Sequence, residues 1–332
     1  MPETPEPKPE RDDLLKAFRV HVLREAVLAK GSTVLVGVSG RSDSMALLRL
    51  LAVLARDLRL QLIVGHVQRD DTPDAKADAT FVHHVATTLA LPFESAMRNT
   101  RHASNDPWWH HAVLAMAQRT GATVIATGET QDDAAERLLA ILLSEESSLR
   151  GLLTSPAGPH VRPLLPFPHE ACARFLLRRG FPFRLNPDAL ALGTITANIR
   201  LLVLPLLKRH VSPDAIRNLA AANEFLAAED AFLGELAQTA REEVRWTQTA
   251  ERISVDRARW GRLPSPLRHS LLAEAARSLA PADRVSRSDL LRLEAQCRSL
   301  ADGERLDAGR LNITRVGGIL TLHMGSPPPH PA

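Results

Sequence analysis

Apolar residues recur at helical spacing through Leu14, Leu15, Phe18, Val22 and Leu23, which predicts an amphipathic helix over 14–28 closed by Gly31. The pattern then changes. Thr33-Val34-Leu35-Val36-Gly37-Val38 is a short, nearly continuous apolar run, suited to a strand buried on both faces. A helix starting near Asp43 follows, with Met45, Leu47, Leu48, Leu51 and Leu54 on one face. The alternation repeats with a strand over 60–67, a helix over 74–91 opened by Thr72-Pro73-Asp74, and a short strand over 92–97. A helix over 107–120, a strand over 123–128 and a helix over 131–143 complete it. Such alternation implies an α/β fold with a doubly wound parallel sheet. Ligands of these sheets sit beyond the carboxyl ends of the strands. Three loops fall there: 39–44, 66–71 and 128–133.

Regularity fades after 143. Residues 144–168, with several Ser, Gly and Pro, read as a connection carrying Arg162-Pro163-Leu164-Leu165. Helices are expected at 169–180 and 199–209. Ser212-Pro213-Asp214 is a helix start, and a helix from there to about Arg245 has the length of an interdomain bridge. From there to Gly325 the chain reads as mostly helical, ending in short strands near 311–315 and 319–323. The expected organisation is a tail at 1–12, a doubly wound domain over 13–210, a smaller, mainly helical domain over 211–325, and a tail at 326–332.

Composition narrows the class. No apolar run in the 332 residues approaches the roughly 20 needed to span a bilayer. The first ten residues are rich in Pro and Glu and lack the apolar core of a signal peptide. A cytoplasmic protein with no membrane partner is expected. Two distant cysteines, Cys172 and Cys297, form no CxxC, which argues against a disulfide framework, a zinc site or an iron–sulfur cluster. A net charge of +3 permits nucleic-acid binding without arguing for it. There is no Tyr, so base stacking would fall to the four Trp, or to Phe, His and Arg.

Ser39-Gly40-Arg41-Ser42-Asp43-Ser44, between a buried strand and a helix start, has the makings of an anion site: backbone N–H groups, a helix dipole and three hydroxyls. It matches neither the Walker loop nor the dinucleotide fingerprint, and taken alone it also suits a plain turn. Asp43 inside such a cradle would repel phosphate unless Mg²⁺ lay between them. Asp132 and Asp133 at a helix start would stabilise the dipole. With Glu136, which shares a helix face with Asp133, they would alternatively hold Mg²⁺ or a cationic amine. His66 at a strand end reads more readily as structural than catalytic. The neighbours His83-His84 and His110-His111 face different ways on their helices, so neither pair is expected to chelate a metal.

In order along the chain, these segments resemble the N-type ATP pyrophosphatase (PP-loop) superfamily, and within it the tRNA(Ile)-lysidine synthetases. The loop Ser39–Ser44 resembles SGGxDS, and His66-Val67 the start of HVNH. Ala126 to Glu136 resembles ATGHxxDDxxE, and Gly151-Leu152 and Arg162-Pro163-Leu164-Leu165 match GL and RPLL. Asn198-Ile199-Arg200 with Leu204-Pro205-Leu206-Leu207 resembles RNRIR…LPLL. The resemblance covers about 14–323 and omits the further C-terminal domain of longer members. It implies an adenine-nucleotide-hydrolase-like fold and an ATP-dependent ligase. That enzyme adenylates the wobble cytidine of a precursor tRNA(Ile) with a CAU anticodon, then lets L-lysine displace AMP. It implies ATP and Mg²⁺ as cofactors and allows a homodimer. Ser39, Gly40, Arg41, Ser42, Asp43, Ser44, His66 and Gly128 would line the nucleotide site. Asp43 would hold Mg²⁺. Asp133 and Glu136, with Asp132 beside them, would take the lysine. Arg162 and Arg200 would meet nucleotide or tRNA.

The chain departs from the family pattern at several positions. Arg41 stands at the second Gly of the loop, Gln68-Arg69 at the end of HVNH, and Glu129 at the His of ATGH. His110-His111 replaces an Arg-Tyr, Thr196-Ala197-Asn198 replaces the first three residues of RNRIR, and Ser144-Glu145-Glu146-Ser147 replaces a basic RGSG. The alternative these suggest is a degenerate PP-loop protein that keeps the fold as a nucleotide- or RNA-binding module. A tRNA-thiolating relative is disfavoured by the isolated cysteines.

Overall fold

A computed structural model describes residues 13–97, 108–144, 159–185, 194–279, 285–297, 299–308 and 311–324. The expected tails, Gly151-Leu152 and Glu145-Glu146-Ser147 lie outside these. Contacts divide the chain into two units, 1–136 with 155–220, and 137–154 with 221–332. The division thus falls inside the helices Gln131–Leu143 and Ala215–Glu243, where the sequence places a single boundary at 210/211.

The first unit is built on five parallel strands in the order β3-β2-β1-β4-β5. These are β1 (Thr33–Gly37), β2 (Gln61–Gln68), β3 (Phe93–Met97), β4 (Val124–Ala126) and β5 (His160–Val161). Val34, Leu35 and Val36 are fully buried because β1 is central, paired with β2 and β4. Helices cover both faces. On one, α1 (Asp13–Arg24), α2 (Ser42–Leu58), α3 (Pro73–Thr88) and α6 (His169–Arg178) close over Val34, Val36 and Val64. On the other, Val113, Met116 and Ala117 of α4 (Trp108–Thr120) cover Leu35, Ile63 and Ile125. α2 is the main core helix: Met45, Leu47, Leu48, Leu50 and Leu51 are fully buried. Each is worth about 1.5–3 kcal/mol of apolar transfer. The remaining helix of the alternation is α5 (Gln131–Leu143).

Two local readings need correction. The stretch expected as a bare connection contains β5, whose two residues pair with Ile125 and Ala126 of β4. A two-residue strand carries no legible period. The helix expected over 199–209 is longer and irregular. It runs as α7 (Ile195–Asn198), a π segment over Ile199–Val203, and α8 (Leu204–His210). Leu204 N–H donates to the Ile199 carbonyl, five residues back. Pro205 supplies the reason: it has no N–H and its ring crowds the carbonyl four residues earlier, which a widened turn relieves.

The second unit has its own core. The C-terminal part of α9 (Ala215–Glu243), α10 (Arg257–Arg262), α11 (Ser265–Leu279) and α12 (Arg287–Cys297) pack with an antiparallel sheet of order β6-β7-β10-β9-β8. Its strands are β6 (Thr247–Gln248), β7 (Arg252–Asp256), β8 (Arg305–Ala308), β9 (Leu311–Val316) and β10 (Ile319–Met324). The last two lie where strands are expected. The first three correct the reading of 245–311 as mostly helical: β7 offers only Ile253 and Val255 as inward positions, too few to register as an alternation. Trp260, 2% exposed, and Leu271, Leu293 and Ile313 centre this core. No described helix is long and apolar enough to cross a membrane.

Candidate active site

β1 and β4 are neighbours, and the chain leaves them in opposite directions across the sheet, so a crevice opens at their carboxyl ends. The loop 39–44 after β1 and the loop 127–130 after β4 meet there. Gly128 makes the meeting possible. A Cβ on it would lie 2.8 Å from Ser44 N and 2.9 Å from Ser44 Cα, so it backs directly onto the start of α2.

The first loop is tied internally. Ser39 N–H donates to Ser44 Oγ at 3.1 Å, the Ser39 and Ser44 hydroxyls are 3.0 Å apart, and Ser44 Oγ donates to the Arg41 carbonyl at 3.1 Å. Ser42 and Ser44 are buried. The left-handed residue is Gly40, at φ +87°. Arg41 is the N-cap of α2, extended at φ −84° and ψ 166°. The second-glycine position therefore makes no demand for φ > 0, and a side chain there is unstrained. Arg41 lies 3.9 Å from Asp78 of α3.

His66 is 3% exposed and its Nδ1 lies 2.8 Å from the Val38 carbonyl, to which it must donate. Burial lowers its pKa. It stitches β2 to the end of β1 just ahead of the loop. Arg162, at the end of β5, pairs with Glu129 at 3.1 Å, with both side chains mostly buried. The carboxylate at the family's His position is thus met by a guanidinium.

The four carboxylates converge. Asp43 Oδ2 accepts from His169 Nδ1 at 2.8 Å, and Asp132 Oδ2 accepts from His169 N–H at 2.7 Å. Asp133 Oδ2 accepts from the N–H and hydroxyl of Thr130 at 2.8 and 2.7 Å, half of a capping box at the start of α5. Its Oδ1 lies 3.3 Å from Arg200, whose Nε donates to Glu136 Oε2 at 2.7 Å. Burial opposes the Arg200 charge, but Glu136, Asp133 and Asp43 outweigh it and raise its pKa. Burial, with Asp133 and Asp132 nearby, raises the pKa of Asp43 against the opposing pull of His169. The His169 pKa rises through its bond to Asp43.

His169 was not singled out in the sequence. Its signal was electrostatic: a side chain able to carry positive charge sits at a helix N-terminus, where the dipole is unfavourable unless carboxylates face it. Asp78 and Arg184 also went unread, because the loop gathers them from positions far apart in the chain.

Asp43 Oδ1 is buried without a hydrogen-bond partner. Among the described residues no three His, Cys, Asp or Glu form a metal cage. Mg²⁺ needs none: it is commonly held by one or two carboxylates, waters and substrate phosphates, and an orphaned carboxylate oxygen fits that mode. Both cysteines are buried, with thiol pKa values pushed up, Cys297 to about 12.

Fold and site together define a doubly wound α/β domain with a serine-rich loop at the switch point of the sheet. A family model described as the PP-loop domain matches residues 14–205, and the chain belongs to that family. The chain is 32% identical to the tRNA(Ile)-lysidine synthase of Geobacter sulfurreducens over 80% of its own length and 59% of that relative. It is 31% identical to the enzymes of that name from Symbiobacterium thermophilum, over 72% of the chain and 52% of the relative, and Thermus thermophilus, over 67% and 44%. The chain thus spans about half the length of these curated relatives. Among solved structures, the U34-tRNA thiolase NcsA from Methanococcus maripaludis superposes with a TM-score of 0.51 at 14% identity. The match covers 65% of this chain and 80% of that one, a likeness of fold.

Proposed function

We propose that this chain is an ATP-dependent ligase that joins L-lysine to C2 of the wobble cytidine of a precursor tRNA(Ile) with a CAU anticodon. The supporting observation is the convergence of Asp43, Asp132, Asp133 and Glu136 beside the loop 39–44, in a chain similar over most of its length to tRNA(Ile)-lysidine synthases. In this reading the cytidine C2 oxygen attacks the α-phosphate of ATP and pyrophosphate leaves. The lysine ε-amine then displaces AMP. The loop 39–44 binds the phosphates through backbone N–H groups and the dipole of α2. Asp43 would hold Mg²⁺, whose charge would offset that of the pyrophosphate, and His169, tied through its backbone to Asp132, holds the Asp43 carboxylate in place. Gly128 is a packing residue of the site. Arg162 keeps Glu129 from opposing the phosphates.

Lysine recognition carries a condition. Arg200 already occupies Asp133 and Glu136. The lysine ammonium must exchange with that guanidinium, which then turns toward nucleotide or tRNA. Homodimerisation and a cytoplasmic location complete the reading.

The alternative of a degenerate module rests on Arg41, Glu129 and the thinned arginine set, of which the first two are accommodated locally. The test is incubation with ATP, Mg²⁺, labelled lysine and precursor tRNA. Lysine is expected to enter the tRNA and to be lost in Asp43→Asn. An absence of incorporation, under conditions where a relative is active, would sink the proposal.

A further inference from the structure

Helical spacing puts Trp109, Val113, Met116 and Ala117 on one stripe of α4, and the last three are buried against the sheet. Trp109 is 39% exposed. Its place at the start of the helix is the reason. α4 ends at Thr120, and the N–H of Thr123 donates to the Thr33 carbonyl at the amino end of β1. A helix of 13 residues rises about 20 Å, so the first turn of α4 reaches the carboxyl ends of the strands. Trp109 thus carries an uncovered apolar ring at the end of the sheet where ligands sit.

Three rings form a row there. Trp109 meets His110 edge to face, with centroids 5.7 Å apart, and His110 lies against His160 of β5 at 4.6 Å, tilted by 35°. His110 Nδ1 and His160 Nε2 are buried without a hydrogen-bond partner among the described residues. Burial lowers the pKa of both histidines, and a neighbouring imidazole lowers each further, His111 for His110 and His110 for His160. Glu129, which pulls the other way on His160, is met by Arg162. The row is therefore neutral near pH 7.

We propose that Trp109 is the stacking platform for an unpaired base of the RNA substrate. The proposal rests on the tRNA-modifying reading above. A neutral aromatic row offers little to a phosphate. A base has a π face for the indole, and donors and acceptors on its edge for unpartnered ring nitrogens. The chain has no Tyr, so an exposed indole is its largest stacking surface. The adenine of ATP has the same chemistry. α4 lies on the face of the sheet opposite α2, which the loop 39–44 opens, and that favours the RNA.

The test measures binding of precursor tRNA, of its acceptor-stem duplex, and of Mg·ATP and AMP, by the full chain and its Trp109→Ala and Trp109→Phe variants, each with a melting curve. Filter retention reads the RNAs and calorimetry the nucleotides. Trp109→Ala is expected to lose about fivefold to a hundredfold in tRNA affinity, the worth of one stacked base, with ATP and AMP unchanged. Trp109→Phe, with a smaller ring, falls between. The duplex, which has no unpaired base, binds equally to all three. Precursor tRNA quenches the indole emission of the wild type, and Trp109→Phe loses part of that quench. Losses for ATP and AMP in place of tRNA would assign the platform to adenine and overturn the proposal. Equal losses for tRNA and duplex would overturn it too. Should Trp109→Ala melt early, the quench decides: one equal in the wild type and Trp109→Phe overturns the platform. A wild-type chain that binds no tRNA overturns the proposed function as well. A chain that binds tRNA while Trp109 is silent overturns the platform alone.

Discussion

Gly128 and Gly261 make a controlled pair at the scale of single residues. A methyl group on Gly128 collides with the backbone of Ser44, whereas one on Gly261 meets nothing within 4 Å. Gly128→Ala should cost about 1–3 kcal/mol, as overpacking against immovable backbone does. It should also push the start of α2 out of line and weaken ATP binding. Gly261→Ala, in α10, should be neutral or stabilising by up to about 1 kcal/mol. Urea titrations and calorimetry of the two variants check this. His66 gives a pH dependence. Its folded pKa lies below the ordinary 6.5, so below that pH the unfolded chain binds more protons and stability falls with falling pH. Burial acts in the same direction on His110 and His160. These three groups pull the urea midpoint down between pH 7.5 and 5.5, against the opposite pull of His169, whose pKa is raised, and His66→Asn should weaken the downward pull. An unchanged slope would mean that other groups dominate. Much at this scale was legible in sequence: Asp43, Asp132, Asp133 and Glu136 do gather at one crevice. The partners of Arg41 and Glu129 were not, because each departure is answered by a residue remote in the chain, Asp78 or Arg162.

Among the elements, the π segment matters most. Ile199–Val203 carries Arg200, and the widened turn sets where that side chain points. Arg200→Ala would strip the cation from Glu136, which is 8% exposed. The expected loss is about 1–2 kcal/mol, less than for a sealed pair because Arg200 is half exposed. Free lysine or methylguanidinium should restore part of the melting temperature in that variant and do little for the wild type, which a thermal-shift series would read out. If neither rescues it, the carboxylate pair is not a general seat for cationic amines. The elements themselves divide by length in how well the sequence announced them. The expected bounds of α5 coincide with the observed ones, and those of β1, β2 and α4 differ by a residue or so, since buried strands and long amphipathic helices declare their periods. β5 and β6, of two residues each, have no period to declare, and the π turn follows from Pro205 and packing rather than from any hydrophobic spacing.

For the whole molecule, two cores predict two responses to ligand. Leu47, Leu48 and Val36 belong to one, Leu271, Leu293 and Ile313 to the other. A nucleotide held by the loop 39–44 stabilises the unit that folds the loop, by about 2.7 kcal/mol at a hundred times its dissociation constant. Scanning calorimetry with and without Mg·ATP should show one transition move up while the other stays. Two transitions shifting in parallel would mean the units unfold together. The chain's aromatic inventory supplies a second readout. It contains no Tyr and four Trp. Trp108 and Trp109 belong to the first unit, with Trp109 39% exposed, while Trp246 and Trp260 belong to the second, with Trp260 sealed in its core. Excitation of the protein therefore lights only indoles, two on each side of the division. Replacing Trp108 and Trp109 by Phe would leave an emission that reports on the second unit alone, blue while Trp260 is enclosed and red once it meets water.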